Sequence, residues 1–466
     1  MSSKAPPTAA SAIALETAVA AAATPPRMAS GALGEAGSRE SLARLNEAMA
    51  ELKALAIQPL LDRAVACLNA GRNQEGAEWA LKALQKDERS GFGWYLLGIA
   101  FERGGDFSSS ITAYETALRL LPNHADIAND LGRLAYRIGM KPQAEKLFRH
   151  FLARFPDNPE GANNLACVLR DDMRFEEAIE LLKPAIVERP DVPMLWNTMG
   201  TIVAEQGDFA TAEVFFREAI RLEPAFAKAI YNLGNSRLSQ GDPEGALPLC
   251  EQALGLVTAE DERQMMRLSR STILITLGRT GEGWDDYEAR LHPAFADATH
   301  FVVDHPAWTP GDDLAGKTLL VIGEQGLGDE VLFANVLPDI TRALGPDGRL
   351  MIAVEPRLVP LFQRSFPNAV VGAHATYAKG GRTYRVMPFL DEAPAPDAWA
   401  PIASLLRQYR CELSDFPEQE GYLSADPARI AYWREALAEA PAGPKVGLLW
   451  KSAVSNNARH RFFSPF

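Results

Sequence analysis

The chain has 466 residues, of which 60 are acidic and 47 are basic, and its formal net charge is −13. This balance disfavours broad, sequence-independent nucleic-acid binding, because phosphate binding needs clustered Lys and Arg. With 47% hydrophobic and 23% charged residues, the composition is that of a globular protein too long for one ordinary core.

Cysteine usage and apolar runs indicate the setting of the protein. Its four cysteines are scattered without a CxxC pair, so neither a disulfide framework nor a zinc ribbon is indicated. A reduced, cytoplasmic location is expected. No run approaches the roughly 18 apolar residues that a membrane helix requires, so we expect no membrane partner. The acidic charge balance leads us to expect no nucleic-acid partner either.

The amino-terminal segment changes character near residue 39. Residues 1–38 are dominated by Ala, Ser, Thr, Pro and Gly, which predicts a disordered tail. From residue 39 to residue 57, apolar side chains recur at helical spacing, at Leu42, Leu45, Met49, Leu52 and Leu55. This spacing predicts a leading helix that caps an array of repeats.

A pattern of two helices with a period of 34 residues follows. Residues 91–124 hold Trp94, Leu97 and Gly98 in one helical pattern and Tyr114 in the next, with Pro122 at the end. The pattern recurs from residues 125, 159, 193 and 227, with looser units at 57–90 and 264–297. It resembles the tetratricopeptide (TPR) repeat. The resemblance implies a seven-unit α-helical array over residues 39–297, a right-handed superhelix whose groove binds a protein or peptide.

Polar side chains occupy the fifth and sixth positions of the predicted first helices. They are Asn129, Asp130, Asn163, Asn164, Asn197 and Asn232. An amide both donates to a backbone carbonyl and accepts from a backbone N–H, so this ladder predicts peptide binding in the groove. The alternative is structural, because Asn near this position is common in TPR repeats whatever they bind.

An α/β region is predicted beyond the repeats. Residues 298–317 form a linker, and His300, Asp304 and His305 within it are surface polar residues rather than a metal site. Residues 318–322, TLLVI, predict a buried parallel strand that runs into a Gly-rich turn at 323–330 and then a helix. Further strands at 349–355 and 369–371, with a helix at 358–365 between them, predict a doubly wound parallel sheet.

The Gly-rich turn has two interpretations. In the first interpretation the turn binds an anion, because its backbone N–H groups lie at a helix start. Its glycine spacing is not the Gly-x-Gly-x-x-Gly of a dinucleotide site. In the second interpretation the glycines serve only to make a tight turn.

Several stretches together resemble a known family. Residues 316–338, preceded by GEGWDDYEARL and followed by residues 421–437 and 444–465, resemble bacterial proteins that fuse TPR arrays to a GT-B glycosyltransferase-like domain. The turn is similar to that of heptosyltransferases, and the carboxyl-terminal WKS motif to flagellin-modification glycosyltransferases. The resemblance implies a Rossmann-like amino-terminal lobe at 318–440 and the start of a second lobe at 441–466.

The resemblance also implies site residues. Asp329 would be the general base for an acceptor hydroxyl, and the donor phosphates would meet Gly326, Gly328, Lys451, Arg459 and Arg461. The donor substrate would be a nucleotide sugar, and no cofactor and no metal are expected. The partner would be an acceptor protein such as flagellin. The plainer alternatives are that Asp329 is a first-turn helix residue and that the basic residues are solvated.

The length of the region departs from the family. Only about 150 residues follow Gly316, whereas two lobes of typical domain size need more. The sequence therefore predicts either a truncated glycosyltransferase or a non-catalytic TPR adaptor with a vestigial lobe.

Overall fold

The structure is a computed structural model that describes residues 35–295, 297–379, 382–418, 421–440 and 443–444. Helices run in consecutive antiparallel pairs through its first part. Their bounds are α1 Glu35–Asn69, α2 Asn73–Lys86, α3 Gly91–Gly104, α4 Phe107–Leu120, α5 Ala125–Arg137, α6 Lys141–Leu152, α7 Pro159–Asp171, α8 Phe175–Glu188, α9 Pro193–Glu205, α10 Phe209–Leu222, α11 Ala227–Ser239, α12 Pro243–Leu256, α13 Glu260–Thr276 and α14 Thr280–Tyr287. The predicted TPR repeats are confirmed, and α3, α5, α7, α9 and α11 begin at the first residue of each predicted unit.

The two helices of a repeat approach closely where the first helix carries glycine. A Cβ atom built on Gly98 would lie 2.6 Å from the ring of Tyr114, and one on Gly132 would lie 2.6 Å from the ring of Phe148. Both rings are buried. The aromatic ring of the second helix thus fills the space that the missing side chain leaves, as ridge-into-groove packing requires.

The amino-terminal prediction is corrected in two respects. Helix α1 begins at Glu35, inside the predicted tail, and runs without a break into the first repeat. Its Leu45, Met49, Leu52 and Leu55 are between 49% and 71% exposed, whereas burial begins at Ile57. The apolar stripe therefore does not cover the end of the array as a cap would. The rest of the predicted tail, residues 1–34, lies outside the described residues.

The second part of the chain contains two sheets and shorter helices. The strands are β1 Thr299–Phe301, β2 Thr318–Ile322, β3 Arg349–Val354, β4 Val370–Ala373, β5 Ala375–Lys379, β6 Arg382–Val386 and β7 Ala398–Pro401. The helices are α15 Leu327–Phe333, α16 Leu337–Leu344, α17 Val359–Ser365, α18 Leu406–Tyr409 and α19 Pro427–Ala438. A four-stranded parallel sheet has the order β4-β3-β2-β7, and a three-stranded sheet has the order β1-β6-β5.

The central strand β2 is buried on both faces. Leu319 and Val321 pack with Ile340 of α16 on one face. On the other face Leu320 and Ile322 pack with Met387 and with side chains from the β1 region. The continuous apolar run TLLVI follows from this double burial. The predicted parallel sheet is present, but among the described residues its second face is covered by loops, a 3₁₀ turn at Pro388–Asp391 and the small sheet rather than by α-helices.

The predicted linker at 298–317 is structured. Its residues form strand β1, which pairs in parallel with β6. Further on, the backbone N–H of Trp308 donates to the Trp399 carbonyl oxygen at 2.7 Å. The Pro and Gly content of residues 298–317 predicts a linker, but the segment pairs with a strand of each sheet, with β6 in the small sheet and with β7 in the parallel sheet.

The chain divides into two compact units, the first ending at Val168 and the second beginning at Leu169. The second unit contains both repeats and sheets. Within it, the last repeat contacts the α/β region directly, because Thr280 Oγ1 donates to the Cys411 carbonyl oxygen at 2.6 Å and Trp284 Nε1 donates to the Arg410 carbonyl oxygen at 3.1 Å. Within the described part of the chain, no helix combines the length and apolar character needed to span a membrane.

Candidate functional site

The loop after β2 lies where the order of the parallel sheet reverses. From β2 the chain builds outward to β3 and β4 on one side and then returns to add β7 on the other. In open α/β sheets the crevice at such a point, outside the carboxyl ends of the strands, is the usual ligand site. Residues 323–330, the Gly-rich turn of the sequence, occupy this position.

A buried ion pair fills the crevice between β2 and β7. Arg290, in a 3₁₀ turn at Glu288–Leu291, donates from Nε to Glu324 Oε2 at 2.7 Å and from Nη2 to Glu324 Oε1 at 2.8 Å. The Ala403 N–H donates to the same Oε1 at 2.9 Å. Burial lowers the pKa of Arg290, but the charges of Glu324 and Glu288 outweigh it and the net pKa is raised. Arg290 is therefore a fixed cation at the end of the last repeat.

A second buried carboxylate joins the turn to β3 and β4. Glu330 accepts from the Glu355 N–H at 2.9 Å and lies 2.8 Å from His374 Nε2. Its side chain is 1% exposed. Gly323 leaves the space for it, since a Cβ atom there would lie 2.5 Å from the Glu330 carboxyl carbon. The glycine at the start of the turn thus has a packing role.

Arg385 of β6 holds the start of the turn from the other sheet. Its Nη1 donates to the Gly323 carbonyl oxygen at 2.5 Å, and its Nε donates to Thr376 Oγ1 at 3.1 Å. Burial lowers the pKa of this guanidinium, against the opposing charges of Glu330 and Glu324. The turn therefore begins in a buried network of five charged or titratable groups, two of them from the turn itself.

Asp329 lies beyond this network, in the first turn of α15. Its Oδ2 accepts from the Gly326 N–H at 3.0 Å, the contact of a helix-capping carboxylate. Gln325 has a φ of 60° and donates from Nε2 to the Tyr287 hydroxyl at 2.7 Å. Burial raises the pKa of Tyr287 to about 12; the charge of Arg290 opposes the rise, and those of Glu324 and Asp329 add to it.

Gly326 and Gly328 are exposed and have no packing role in the described structure. Neither has a positive φ, and no described atom lies within 4 Å of a Cβ atom built on Gly328. Their backbone is open to close approach by a ligand. Lys451, Arg459 and Arg461, predicted at the same site, lie outside the described residues.

In the first unit, the predicted peptide-binding amides bond to one another. Asn164 Nδ2 donates to Asn129 Oδ1 at 3.1 Å, and Asn129 Nδ2 donates to Glu160 Oε1 at 3.0 Å. Asn129 is buried, so it joins neighbouring first helices instead of facing a peptide. Asp130 is likewise engaged, since it accepts from the Tyr95 hydroxyl at 2.7 Å and pairs with Arg133.

The second unit repeats the amide pair. Asn232 Nδ2 donates to Asn197 Oδ1 at 2.8 Å, and Asn197 is buried. Asn163 is partly exposed on the first helix of its repeat. The half-buried Asn164 and Asn232 each use one of their two amide N–H donors in these pairs, and no described donor reaches their Oδ1 atoms. Asn164 and Asn232 thus each keep an Oδ1 acceptor, which a peptide N–H would suit.

Sequence reasoning missed the buried charged network of the turn. The network has five members, and only Glu324 and Glu330 lie in the Gly-rich turn. The other three are Arg290, His374 and Arg385. One signal was present: Glu324 comes shortly after the apolar run Leu319–Ile322, where a buried charged side chain must be paired.

Comparison with known proteins agrees with the repeats and extends beyond them. A family model described as tetratricopeptide repeat matches residues 95–159, 130–193, 163–225 and 197–262. Over 441 residues the chain is 47% identical to protein FlbA of Caulobacter vibrioides. The aligned region covers 95% of this chain and 74% of FlbA. The chain belongs to the FlbA family. The match to FlbA includes the α/β region as well as the repeats.

Two further relatives share a smaller part of this FlbA-family chain. A TPR repeat-containing protein of Pseudomonas aeruginosa is 31% identical over 159 residues, which is 34% of the chain and 27% of that protein. The human protein O-mannosyl-transferase TMTC1 is 30% identical over 191 residues, which is 40% of the chain and 22% of TMTC1. Each match thus spans less than a third of the relative's own length.

Proposed function

We propose that this protein recruits an acceptor protein through its TPR helices for O-glycosylation at a glycosyltransferase-like α/β lobe of Rossmann type. The observation on which the proposal rests is the exposed loop at Gly326–Gly328, beside Asp329, at the carboxyl end of the central strand where the sheet order reverses. Flagellin is the acceptor to test first, a nucleotide sugar is the donor, and the cytoplasm is the location.

The acceptor half of the proposal is supported by the repeats. TPR arrays present the first helices of their units on a concave face, and Asn164 and Asn232 lie on such helices with unused carbonyl oxygens. An extended peptide offers backbone N–H groups to such acceptors. One relative that matches this chain over 40% of its length is named a protein O-mannosyl-transferase, which supports a glycosylation-related role.

The transfer half assigns roles to the turn. Asp329 would take the proton from the acceptor hydroxyl while that oxygen bonds to the anomeric carbon of the donor sugar. The bond from that carbon to the nucleoside diphosphate would break, and the diphosphate would leave with the electron pair. Gly326 and Gly328 would let its phosphates approach the backbone, with the Gly328 N–H as the donor, because no described atom lies within 4 Å of a Cβ atom built on Gly328. Lys451, Arg459 and Arg461 are the further donor contacts of this proposal.

A non-catalytic scaffold is the second candidate, and a specific observation favours it. The Asp329 carboxylate already accepts the Gly326 N–H, and Arg290 fills the crevice where ligands of parallel sheets usually bind. A loop held this way suits a structural role as well as it suits catalysis.

The experiment incubates the chain with flagellin and a panel of nucleotide sugars and measures the intact mass of flagellin. We expect one donor to add a sugar mass, and Asp329→Asn to abolish the addition at unchanged Tm. Asparagine keeps an oxygen to cap Gly326 but is not a base. Asp313→Asn is the matched control, because Asp313 Oδ1 accepts the Ala315 N–H at 3.0 Å outside the site.

The two candidates predict different results. Transfer by the Asp329→Asn variant would exclude Asp329 as the base. If no donor adds mass while flagellin still binds the repeats, the scaffold function is the correct one.

A further inference from the structure

The small three-stranded sheet ends in a strand whose outer edge is open. Its order is β1-β6-β5, and among the described strands β5, Ala375–Lys379, pairs with β6 alone. All residues of β5 are exposed, its pairs with β6 follow one another without a bulge, and it contains no proline. In an antiparallel ladder, alternate residues turn their N–H and C=O groups away from the partner strand. Strand β5 therefore presents a row of backbone donors and acceptors to solvent.

A ladder of three aromatic rings crosses the outer face of this sheet, opposite the face of the buried Arg385. His300 of β1 lies opposite Tyr384 of β6, and Tyr384 lies opposite Tyr377 of β5. The ring centroids are 5.3 Å apart in the first pair and 5.5 Å apart in the second, where the ring planes differ by 16°. His300 and Tyr384 are half-buried, whereas Tyr377 is 44% exposed. The ladder thus ends at the open edge, where one face of the Tyr377 ring meets no other described ring.

Two basic side chains lie opposite each other at one end of the same hairpin. Lys379 of β5 pairs in register with Arg382 of β6, and both are exposed. Like charges directly opposite each other across a sheet destabilise it. Neither side chain forms an ion pair in the part of the chain that the structure describes. Since the chain as a whole carries a net charge of −13, this local excess of positive charge favours a ligand that brings a carboxylate.

The spacing of the rings favours a peptide strand over a nucleic acid. A base inserted between two rings needs about 7 Å between their centroids, because carbon atoms in contact lie about 3.5–4.0 Å apart. The observed 5.5 Å is too short, so one uncovered ring face remains, whereas single-stranded nucleic acids stack successive bases on several side chains. An added strand lies about 4.8 Å away and places one side chain beside that face.

We propose that β5 is a strand-addition site, at which an extended acidic segment of a partner protein pairs with residues 375–379. The segment's backbone would bond to the open edge, and its aromatic side chain would stack on Tyr377. A carboxylate two residues away would meet Lys379, because positions two apart on a strand share a face. The site lies outside residues 323–330 and requires no transfer reaction, so the proposal goes beyond the proposed function.

The experiment uses ten-residue peptides with blocked ends, built of Thr and Ser around one Tyr and one Glu. Glu stands two positions before Tyr in one peptide, which suits antiparallel addition, and two positions after it in another, which suits parallel addition. Saturation-transfer NMR with the full chain measures binding, and we expect one order to bind with a Kd of about 1 mM or tighter. At about five times that concentration, the edge amides of β5 should exchange hydrogen about sixfold more slowly, because only unbound chains expose them.

Two further peptides test the recognition chemistry. One places Glu next to Tyr, which puts the two side chains on opposite faces of a strand. The other replaces Glu by Lys, which repeats the charge of Lys379. Each should bind about threefold more weakly or worse than the better of the first two peptides.

Lys379→Glu should reverse the charge preference. We expect it to weaken the Glu peptide about fivefold and to strengthen the Lys peptide. Tm should not fall, because the new carboxylate lies opposite Arg382. Lys317→Glu is the matched control, since Lys317 is exposed before β2, outside the three-stranded sheet, and the change in net charge is the same. Its peptide affinity should equal that of the parent chain, whereas Tyr377→Thr should weaken binding.

Several results would each overturn the proposal. They are no binding of either order at up to about 5 mM, equal binding of the peptide with adjacent Glu and Tyr, and equal losses in Lys379→Glu and Lys317→Glu. Slowed exchange confined to amides outside residues 375–379 would also exclude this edge. Tighter binding of a ten-residue oligothymidylate than of either peptide would make the hairpin a nucleic-acid site instead.

Discussion

Arg290 and Glu324 form a two-point ion pair that joins the last helical repeat to the end of the central β-strand. Their side chains are 4% and 3% exposed, and the two groups are 2.7 Å apart. The start of the Gly-rich turn is thus positioned by a residue of the repeat array, 34 positions earlier in the chain.

Breaking this pair from one side should strongly destabilise the second unit. Arg290→Met leaves a buried carboxylate without its cation, which costs about 3–5 kcal/mol, whereas Arg290→Met with Glu324→Leu should recover most of the loss. Urea unfolding of the three chains measures this. Arg342→Met is the control, because the Arg342 side chain is 77% exposed and its pair with Asp339 should contribute about 0.5 kcal/mol or less. A single variant as stable as the control would contradict the prediction.

Met173 occupies a position that glycine fills in neighbouring repeats. Its φ is 58°, and Gly105, Gly139, Gly207 and Gly241 have positive φ at the equivalent turns. A side chain in this region costs about 1–2 kcal/mol, which the greater unfolded-state entropy of glycine partly offsets. We therefore expect Met173→Gly to stabilise the protein by about 0.5–1 kcal/mol, measured as a rise in Tm. Gly139→Met should lower Tm, and equal Tm values in all three chains would show that this turn is not strained.

Gly98 should not tolerate a methyl group. Gly98→Ala places a Cβ atom 2.6 Å from the ring of Tyr114, which is wholly buried, so we expect a loss of about 1–3 kcal/mol from overpacking. Gly104→Ala, in the same helix, is the matched control because no described atom lies within 4 Å of its Cβ position. Thermal unfolding followed by circular dichroism compares them, and a Gly98→Ala chain as stable as the control would refute the close packing.

The cysteines should differ sharply in reactivity. Burial raises the pKa of Cys250 to about 11, against the lowering charge of Arg270, whereas Cys411 is exposed. At pH 8 iodoacetamide should alkylate Cys411 first and reach Cys250 only in urea, as peptide mass spectrometry would show. Equal labelling of the two thiols in the folded chain would contradict this.

The same thiol makes a pH-dependent contribution to stability. The pKa of Cys250 is higher in the folded chain than its ordinary value of 9.0, so its contribution is complete below pH 9 and is lost as pH rises through about 11. Cys250→Ala should flatten the fall in the free energy of unfolding over that range. An identical alkaline profile in the parent and the variant would argue against the shift.

The predicted elements that depend on local pattern agree with the structure. The 34-residue spacing located the starts of α3, α5, α7, α9 and α11, and TLLVI located β2 to the residue. The first signal is a periodicity and the second a continuous apolar run, and burial imposes both on residues close together in the chain, so one sequence reports them. The exposed stripe of α1 shows the limit, because apolar spacing predicts a helix but does not identify what covers it.

The candidate site was predictable only in part. Asp329, Gly326 and Gly328 are contiguous with a strand and were found as a motif. The amide ladder was predicted as well, but Asn129 and Asn197 prove to be buried between helices, because spacing along a helix does not distinguish a groove from a helix–helix contact.

The sequence by itself determined the repeats, the parallel strands and the Gly-rich turn, because each is specified by residues close together in the chain. Only the tertiary structure decided that Arg290 closes the crevice, that His374 lies beside Glu330 and that the Trp308 indole N–H has no partner among the described residues. These facts depend on pairs separated by 34 or more residues and on the absence of a partner. A buried charge or donor is satisfied by whatever the fold brings near it, and no local pattern records that.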